Sequence, residues 1–591
     1  MGFRFDTTVI SYFIIIPLFC LYLSPLIHIK KYISKIRITF QNIFVMVSTT
    51  ICVVNANYYN EFNDQFNHFI FLGLFDDKKA VFKSIIYDYN FFTNTIIIIA
   101  SCIFLIKYFK FYENKKFIFS FFKNFDKKYQ KNSVKILFIL LFIPSIRGSF
   151  TEYPARRFYS SISSDDFLNK TVINPIRAIK YAISDYYELN SYGDKNPFGQ
   201  IPSSIVNKHK TFKEILKKNV STNNSKEKPD QIFLIVMESY DSWVLNDAYD
   251  ILGVNKSLKE VEKKGISFKN FISSSNSTMN SLGAIISGIP YCGVNISKIG
   301  ASRLFESSLF YQFKKLGYQT NIFFTTYSSW QNLGNFSKKQ GVDNVYDGPS
   351  SSAKKGIWGI NDVDLFKNVL DKVDSNEKSL NLILTISNHP PFEENVFEYG
   401  FNFDIELYKS KMNYSEKSLP AKALGHIWYA DKAIGSFVEE AEKKYKKPLF
   451  AFTGDHFSRR FINNFSTLKQ QSTVPFIIYS ASLIKNTHKN NIPGSHIDIT
   501  PTLVELIAPV NFTYYSFGKS LLQNENYDYG IGFNKTIKRD VIFEFSKNYG
   551  IKEQKFINYI VDKRLGYKSK KIHDSIMSLA WHYTIKGDTI N

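Results

Sequence analysis

The first 150 residues alternate between long apolar stretches and strongly charged polar segments. A helix that crosses a bilayer needs about 20 apolar residues. Four stretches come near this length, at residues 9–29, 38–57, 91–106 and 134–146. The fourth is the weakest, because it is short and contains Lys135 and Pro144. A cleaved signal peptide is disfavoured for the first, since no small-residue cleavage site follows it. The pattern predicts a transmembrane domain of about four spans over residues 1–147.

The charges between these stretches predict an orientation in the membrane. Residues 30–37 carry four cations and no acid, and residues 107–135 carry nine lysines against two acids. Residues 58–90 carry five acids against three lysines. Because cytoplasmic loops hold the excess of lysine and arginine, we expect a multi-pass protein of the cytoplasmic (inner) membrane, with its C-terminal part on the periplasmic or extracellular side. A fifth span within residues 58–90 would place the N-terminus on the opposite side of the membrane but would leave the C-terminal part outside the cytoplasm.

The pattern changes after residue 147. Residues 148–230 contain short helical patterns and polar runs, which predicts a connector. From residue 231 to 591, short apolar runs alternate with amphipathic stretches. The predicted strands are 232–237, 319–325, 380–386, 449–453 and 474–479, and the predicted helices include 302–316, 362–373, 421–445 and 499–507. This alternation is typical of an α/β fold with a largely parallel central sheet flanked by helices, in which ligands bind beyond the carboxyl ends of the strands.

Net charge and cysteine content narrow the class of protein. The formal net charge of +22 is compatible with nucleic-acid binding, but much of the excess lies between the apolar stretches near the N-terminus. We therefore expect no nucleic-acid partner. Three of the four cysteines fall inside predicted spans, and only Cys292 lies in the external domain, which excludes an internal disulfide there. No cysteine-based zinc motif is present in the sequence.

Chemically useful side chains follow the apolar runs. Glu238 ends the first predicted strand, and Asp455 and His456 follow a later one. Thr278 stands at the start of a predicted helix. Two carboxylates, an imidazole and a hydroxyl are ligands that Zn²⁺ accepts, and the oxygen-rich set also suits Mn²⁺. Taken singly, the threonine is more simply a helix N-cap and the Asp-His pair a polar turn. Taken together, they favour a divalent metal site.

Two further histidines lie next to predicted strand ends or helix starts. These are His389 and His496, and each could contact a phosphate or a second metal. Asp498 and Thr500 more simply cap the helix that starts at Pro501.

These residues, in this order, resemble a known superfamily. The series Glu238, Thr278, Gly454-Asp455-His456 and Ser495-His496-Ile497-Asp498 is similar to that of the alkaline phosphatase/sulfatase superfamily. Within it, the chain most resembles the membrane-anchored phosphoglycerol and phosphoethanolamine transferases, which include lipoteichoic acid synthases. Thr278 followed ten residues later by Gly288-Ile289-Pro290 resembles the phosphoglycerol transferases. Sulfatases use a cysteine or serine in a frame with proline and arginine. The frame here has no cysteine, proline or arginine, so a sulfatase is disfavoured.

The resemblance implies a division of roles at the metal site. Glu238, Asp455, His456 and Thr278 would bind the catalytic metal, zinc or manganese. Thr278 would also be the nucleophile and would form a covalent phospho-threonine intermediate.

The resemblance also implies which residues contact the substrate. His389 and His496 would contact the substrate phosphate or a second metal, and Trp330 and Asn332 would bind the head group. One departure concerns the tryptophan that a histidine and an arginine flank in lipoteichoic acid synthases. The matching stretch here, residues 323–332, has the tryptophan but neither of the other two.

The expected function is transfer of a phosphoglycerol head group from a membrane phospholipid to a cell-envelope glycan. Two enzymatic alternatives stay open: phosphoethanolamine transfer to lipid A or a glycan, and metal-dependent hydrolysis of the phosphatase or sulfatase type. A catalytically inactive membrane scaffold is disfavoured, because no member of the ligand set is missing. A membrane anchor fits a lipid donor, since a tethered active site meets the head group at high effective concentration.

Overall fold

The structure is a computed structural model of the 591-residue chain. It describes residues 2–23, 30–62, 65–67, 70–71, 91–114, 128–150, 153–160, 162–163, 166–191, 196–221 and 227–590, the last range with gaps at 300–302, 349–355, 357, 391, 464, 486, 523–527, 547–549 and 557–562. The chain divides into two compact units, Met1–Asp194 and Lys195–Asn591. This division falls inside the predicted connector, and the predicted boundaries at residues 147 and 230 stay predictions.

The first unit is helical. Its helices are α1 (Gly2–Leu23), α2 (Lys30–Phe62), α3 (Phe91–Asn114), α4 (Lys128–Arg147), α5 (Asp166–Val172) and α6 (Pro175–Ser191). Three segments of them are long and apolar enough to cross a membrane: Gly2–Phe19, Lys35–Tyr59 and Phe91–Tyr112. The fourth predicted span corresponds to the shorter apolar segment Ile136–Arg147. Three apolar helices thus fit the predicted transmembrane bundle, and the count of four spans stays a prediction. Residues 24–29 and most of the acidic segment 58–90 lie outside the described residues.

The outward surface of α3 shows why this unit suits a bilayer. No residue of the segment Phe91–Tyr112 is buried within the described structure. Its large apolar side chains are instead exposed, for example Ile96 at 68% and Phe104 at 65%. Soluble proteins rarely expose a continuous apolar surface of this kind, whereas hydrocarbon chains cover it without cost.

The second unit contains a mixed central sheet and three small sheets. The strands are β1 (Lys217–Asn219), β2 (Gln231–Met237), β3 (Ile266–Phe268), β4 (Phe271–Ile272), β5 (Gln319–Phe324), β6 (Asn344–Asp347), β7 (Ser379–Leu384), β8 (Pro448–Gly454), β9 (Phe476–Tyr479), β10 (His488–Asn490), β11 (Gly494–Ser495), β12 (Thr513–Tyr515), β13 (Gly530–Gly532), β14 (Lys535–Ile537), β15 (Val541–Ser546) and β16 (Gly550–Lys555). The central sheet has eight strands in the order β10-β3-β9-β8-β2-β7-β5-β6.

Most pairs of the central sheet are parallel. Strand β2 pairs in parallel with β7 and β8, and β5 pairs in parallel with β6 and β7. Only β9 runs antiparallel, to both β8 and β3. Strands β2, β7 and β8 are buried along their whole length, which explains why they are predominantly apolar in the sequence. The predicted α/β fold with a largely parallel sheet is confirmed.

Helices cover the sheet. In the second unit they are α7 (Ser203–Val206), α8 (Phe212–Leu216), α9 (Lys256–Lys263), α10 (Thr278–Ser287), α11 (Ile296–Ile299), α12 (Leu309–Lys315), α13 (Leu333–Lys339), α14 (Asp362–Lys372), α15 (Ile405–Met412), α16 (Ala421–Lys444), α17 (Ile499–Ile507) and α18 (Lys563–Ile585). Helix α16 packs against α9 and α14. In the core below it, the ring of Phe233 on β2 lies 5.3 Å from that of Phe437 on α16 and 5.4 Å from that of Phe450 on β8. Burial of such rings is the main source of stability for this layer.

The chain beyond α17 adds elements that the sequence pattern does not predict. Strands β13 to β16 form a four-stranded antiparallel sheet, and the long helix α18 packs against its strands. Two further small sheets pair β11 with β4 and β1 with β12. The pairing of β4 with β11 matters for the site, because both strands lead directly into residues with predicted roles.

Candidate active site

Glu238 and Asp455 stand side by side because two parallel strands end together. In the register of β2 and β8, Met237 lies opposite Gly454, so the next residue of each strand is a neighbour of the other. Both carboxylates are buried, at 2% and 0% exposure. Glycine is required at position 454, because a Cβ atom there would lie 2.1 Å from the carbonyl oxygen of Tyr240.

The ligand atoms of Glu238, Asp455 and His456 all lie within 4.8 Å of one another. Asp455 Oδ1 accepts the backbone N–H of Ser239 at 2.7 Å and that of His456 at 2.6 Å. Its buried Oδ2 has no hydrogen-bond partner among the described residues. His456 Nδ1 donates to the carbonyl oxygen of Phe457 at 2.8 Å, which leaves the lone pair of Nε2 available on the side of the carboxylates.

The electrostatics of this group favour a bound cation. Burial, and after it the charge of Asp455, raise the pKa of Glu238 well above its usual range. The hydroxyl of Ser239 donates to Glu238 Oε1 at 2.8 Å and offsets only part of this cost. A divalent cation would remove the repulsion and satisfy the partnerless Asp455 Oδ2. The oxygen-rich donor set with one imidazole therefore fits a divalent metal such as Zn²⁺ or Mn²⁺.

Thr278 brings a hydroxyl to the same point. It is the first residue of α10, and its Oγ1 lies 3.3 Å from Glu238 Oε2, to which it donates, and 3.3 Å from His456 Nε2. The N-cap position belongs to Ser277, so the simpler interpretation of Thr278 as a cap does not hold. The N-terminal end of the ten-residue helix α10 adds the positive end of its dipole to the site.

A cleft of about 680 Å³ opens next to Thr278, and Trp330 and His389 line it as well. His389 Nδ1 donates to the carbonyl oxygen of Pro390 at 2.6 Å, and its ring lies 4.4 Å from that of Trp358. Burial lowers the pKa of His389, which keeps the ring neutral and leaves Nε2 as an acceptor. The structure therefore brings these two predicted substrate residues together with the metal group.

Asn332 does not line this cleft. Its amide donates to the carbonyl oxygen of Ser297 at 3.3 Å, and its neighbour Gln331 lines the cleft in its place. Both Gln331 and Asn332 have left-handed backbones, with φ of 53° and 60°. Two successive residues in this region reverse the chain direction after Trp330, which turns the side chain of Asn332 away from the position that the sequence predicts for it.

His496 also lies outside the cleft lining, behind Thr278. Its ring is buried at 1% exposure, Nδ1 accepts the N–H of Ser274 at 3.2 Å, and Nε2 donates to the carbonyl oxygen of Gly454 at 2.9 Å. Both ring nitrogens are thus occupied within the protein, which leaves none for the substrate contact that the sequence predicts. His496 instead connects residues 273–277, termed here the Thr278 loop, to the end of β8. The predicted capping of the next helix by Asp498 and Thr500 is not found, because α17 begins at Ile499 and Asp498 makes no side-chain capping bond to it. Asp498 instead forms a capping box with Ser495 around the short turn His496–Asp498.

Three cations in the cleft were not singled out from the sequence: Lys417, Arg459 and Arg460. Arg459 Nη2 donates to the carbonyl oxygen of Asn276 at 2.7 Å, and the guanidinium of Arg460 lies 5.0 Å from the centre of the Phe392 ring. The two arginines follow the Gly-Asp-His motif within a few residues, and this proximity is a signal that the sequence contains. Lys417 lies in a polar loop without any comparable signal.

Asp241 holds the arginine-bearing segment in place. Its carboxylate accepts the N–H of Ser458 at 2.9 Å, the hydroxyl of Ser458 at 2.6 Å and the indole N–H of Trp243 at 3.1 Å. Burial raises the pKa of Asp241 to about 7. The segment that carries Arg459 and Arg460 is thereby tied to the chain just after β2.

Comparison with known families agrees with this fold. Residues 230–509 match the family model described as Sulfatase. The matching segment contains Glu238, Thr278, Asp455 and His456. Among curated proteins, the chain is 22% identical over 379 residues to the lipoteichoic acid synthase-like protein YvgJ of Bacillus subtilis (strain 168). The match covers 58% of this chain and 59% of YvgJ, which is less than two thirds of that relative's length.

Solved structures are also similar to this chain. The lipoteichoic acid synthase LtaP from Listeria monocytogenes aligns with a TM-score of 0.50 and 14% identity, over 68% of this chain and 99% of LtaP. A protein in the alkaline phosphatase superfamily from Vibrio parahaemolyticus aligns with a TM-score of 0.49 and 17% identity, over 68% of this chain and 96% of that one. The similarity to LtaP confirms the predicted sulfatase-like fold and, at this identity, shows the fold alone.

Proposed function

We propose that this protein is a metal-dependent phosphotransferase that moves a phosphoglycerol group from a membrane phospholipid to a cell-envelope glycan. The observation that carries the proposal is the position of Thr278. Its hydroxyl lies 3.3 Å from both Glu238 and His456, at the start of a helix, and lines an open cleft. A hydroxyl so placed can attack an anionic phosphorus centre, because the surrounding groups and the helix dipole complement the charge that develops.

The reaction would proceed in two displacements at phosphorus. In the first, Thr278 Oγ1 forms a bond to phosphorus while the bond from phosphorus to the diacylglycerol oxygen breaks. The threonine proton, directed toward Glu238 Oε2, passes to the leaving oxygen. In the second, an acceptor hydroxyl attacks phosphorus and the bond from phosphorus to Thr278 Oγ1 breaks. His389, neutral and in the cleft, would accept the proton of the acceptor hydroxyl and return it to Thr278 Oγ1, which restores the threonine hydroxyl.

Glu238, Thr278, Asp455 and His456 would hold the metal, zinc or manganese. When bound, it would supply Lewis-acid chemistry by making the threonine hydroxyl more acidic and by neutralising phosphate charge. The partnerless Oδ2 of Asp455 supports this assignment, because a buried carboxylate oxygen without a hydrogen bond is costly unless a cation binds it.

The charges of the cleft support phosphoglycerol over phosphoethanolamine. Lys417, Arg459 and Arg460 line it, and among its described lining residues Glu238 has the only carboxylate. An ethanolamine head group carries an ammonium, which the three cations would repel. A glycerol head group is uncharged, so the cations can bind its phosphate without this penalty. These cations would replace the histidine and arginine that residues 323–332 lack.

Several observations support a lipid donor and an external site. Three helices of the first unit are long and apolar enough to cross a membrane. The basic segments around them favour a catalytic unit on the periplasmic or extracellular side of the cytoplasmic membrane, as a multi-pass protein. The similarity to a lipoteichoic acid synthase-like protein supports a phospholipid donor and an envelope glycan acceptor.

Mass spectrometry of Thr278 tests the proposed intermediate. The full-length protein is incubated with vesicles that contain phosphatidylglycerol, and residues 275–290 are analysed for a phosphoglycerol adduct. We expect the adduct on the wild type and on Thr278→Ser, which keeps a hydroxyl, and no adduct or transfer with Thr278→Ala. Full transfer by Thr278→Ala would exclude this nucleophile. Release of free glycerol phosphate without modification of any acceptor would identify a hydrolase instead.

Competition between donors tests the head group. Vesicles with equal amounts of phosphatidylglycerol and phosphatidylethanolamine should yield mainly phosphoglycerol transfer. Arg460→Gln and Lys417→Gln should reduce that preference, whereas the control Lys422→Gln should not, because Lys422 is exposed on α16 and does not line the cleft. Preferential transfer of phosphoethanolamine by the wild type would establish the alternative donor.

A further inference from the structure

The Thr278 loop is supported by a part of the chain that lies beyond the sulfatase-family segment. The hairpin that joins β13 to β14 packs directly against the loop. The N–H of Phe533 donates to the carbonyl oxygen of Ser274 at 3.1 Å. Gly532 comes so close that an added Cβ atom would lie 2.9 Å from the carbonyl oxygen of Ser273. The hairpin is therefore in direct contact with the backbone that positions Thr278.

His573 of helix α18 holds this hairpin from its other side. The imidazole is buried at 2% exposure, and Nε2 lies 3.1 Å from the carbonyl oxygen of Gly532 and 2.8 Å from that of Phe533. Nδ1 lies 3.0 Å from Asp574 Oδ1. Carbonyl oxygens can only accept hydrogen bonds, so Nε2 donates to the hairpin.

Several charged groups lie near His573. Asp574 also pairs with Lys570, one turn earlier on α18. Burial would raise the pKa of Asp574, but the hydrogen bonds from His573 and Lys570 outweigh it and lower the pKa, so the carboxylate is ionised. The nearest ring is that of Phe545, 5.0 Å from the imidazole. The strands packed against α18 bring further charged groups, which form ion pairs among themselves: Lys535, Glu544, Lys552, Glu553 and Lys555.

The Thr278 loop is also hydrogen-bonded to His496. The N–H of Ser274 donates to His496 Nδ1, and His496 Nε2 donates to the carbonyl oxygen of Gly454, next to the predicted ligand Asp455. The two backbone groups of Ser274 are therefore both occupied, one by His496 and the other by the hairpin. Since Thr278 follows four residues later, movement of the hairpin would displace its hydroxyl relative to the carboxylates.

We propose that His573 is a positioning residue for the reaction at Thr278, an inference that rests on the proposed function. The ring fixes the hairpin, and the hairpin fixes the Thr278 loop against His496. Helix α18 thereby contributes to the position of the Thr278 hydroxyl in the active site.

Substitutions on α18 test this role through kinetics. His573→Gln keeps a donor to the hairpin, so kcat should stay close to wild type. His573→Leu removes the donor and should lower kcat by about ten- to a hundredfold with little change in KM. The control His582→Gln, in which the replaced ring contacts the carbonyl oxygen of Thr589 at 3.2 Å, should change neither kcat nor KM.

Hydrogen exchange of the full-length protein in detergent supplies a readout that does not depend on activity. The amides of residues 273–277 should keep wild-type protection in His573→Gln and lose about tenfold of it in His573→Leu. If transfer is absent but this exchange pattern holds, the proposed function fails and the positioning role stands. Wild-type kcat and protection in His573→Leu would overturn the role. A loss of kcat and protection that His573→Gln does not rescue would show a merely structural residue and overturn it as well.

Discussion

Replacing Asp455 with asparagine should make the second unit more stable without metal and less stable with it. In Asp455→Asn, Oδ1 can still accept the N–H groups of Ser239 and His456. The partnerless Oδ2 becomes an amide nitrogen that can donate to the carboxylate of Glu238. The variant therefore relieves a repulsion between two buried carboxylates but loses a charged oxygen ligand. A reversal of the order of stability on adding metal is the expected signature.

The magnitudes follow from the distances. Two unit charges within 4.8 Å of each other repel by about 3 kcal/mol at an effective dielectric constant of about 20. Because the pKa of Glu238 is raised, proton uptake already relieves part of this repulsion in the wild type. We therefore expect the free energy of unfolding of the metal-free variant to exceed that of the metal-free wild type by about 1–2 kcal/mol. Metal at about 100 times its dissociation constant stabilises the wild type by about 2.7 kcal/mol. In a folded unit of several hundred residues, about 1 kcal/mol corresponds to about 1 °C in Tm.

Tryptophan fluorescence during heating measures this in the intact protein. All five tryptophans lie between residues 243 and 581, so the signal reports on the second unit alone. Wild type, Asp455→Asn and the exposed control Asp371→Asn are compared in EDTA and then with zinc or manganese. An Asp455→Asn protein that is less stable than the wild type in EDTA would refute the repulsion. Equal stabilisation of both proteins by metal would refute the ligand assignment.

Three further predictions concern the frame around the site. Gly454→Ala should lower the free energy of unfolding by at least about 2 kcal/mol in urea titrations, because its Cβ would lie 2.1 Å from the Tyr240 carbonyl oxygen. If the variant is as stable as the wild type, β8 can shift to make room. Gly288→Ala should lower the free energy of unfolding by about 1–3 kcal/mol and reduce transfer. The reason is that φ is +68° at this position after α10, and the Cβ would lie 2.4 Å from the Ser307 carbonyl oxygen. Unchanged transfer would show that the end of α10 does not affect the site. Burial raises the pKa of Asp241 from 3.8 to about 7. Between these two values the folded protein holds a proton that the unfolded chain has lost. The free energy of unfolding should therefore fall by at most about 4 kcal/mol as pH rises from about 4 to about 7. Urea midpoints across this range should be flatter for Asp241→Asn, and an equal slope would contradict the shift.

The strand ends that carry Glu238 and Asp455 were predictable from the sequence. Their strands are buried on both faces, so they are continuous apolar runs, and the polar residue that follows each run marks its carboxyl end. The apolar N-terminal helices were also predictable, because a helix that crosses a bilayer needs a long stretch of apolar residues. Residues 24–29 of the first predicted span lie outside the described part of the chain.

Other parts of the fold left no such trace. Strands β13 and β14 have three residues each and are closed by a tight turn, so they are too short for an alternating pattern to stand out. Strand β9 was predicted as a strand, but its antiparallel direction depends on which strands it pairs with, and a run of apolar residues does not encode that choice.

His496 shows the limit of reasoning from motifs at the site. Its neighbours in the sequence indicate a strand end next to a helix start, and the structure has both. Its partners, the N–H of Ser274 and the carbonyl oxygen of Gly454, are backbone groups from distant segments. Because any residue type supplies such groups, the sequence contains no sign of them. Asn332 differs for a similar reason, since a left-handed turn of the backbone decides which of two neighbouring side chains enters the cleft.

The separation of Glu238 from Asp455 along the chain has a consequence for how the protein matures. The two lie more than 200 residues apart and meet only through the parallel pairing of β2 with β8. Pairing across so long a loop is expected late in folding, so the two carboxylates come together only once the second unit folds. On the proposed topology, the second unit crosses the membrane unfolded and folds on the far side. The ions present in the cell envelope, and not those of the cytoplasm, would then determine which metal the enzyme acquires.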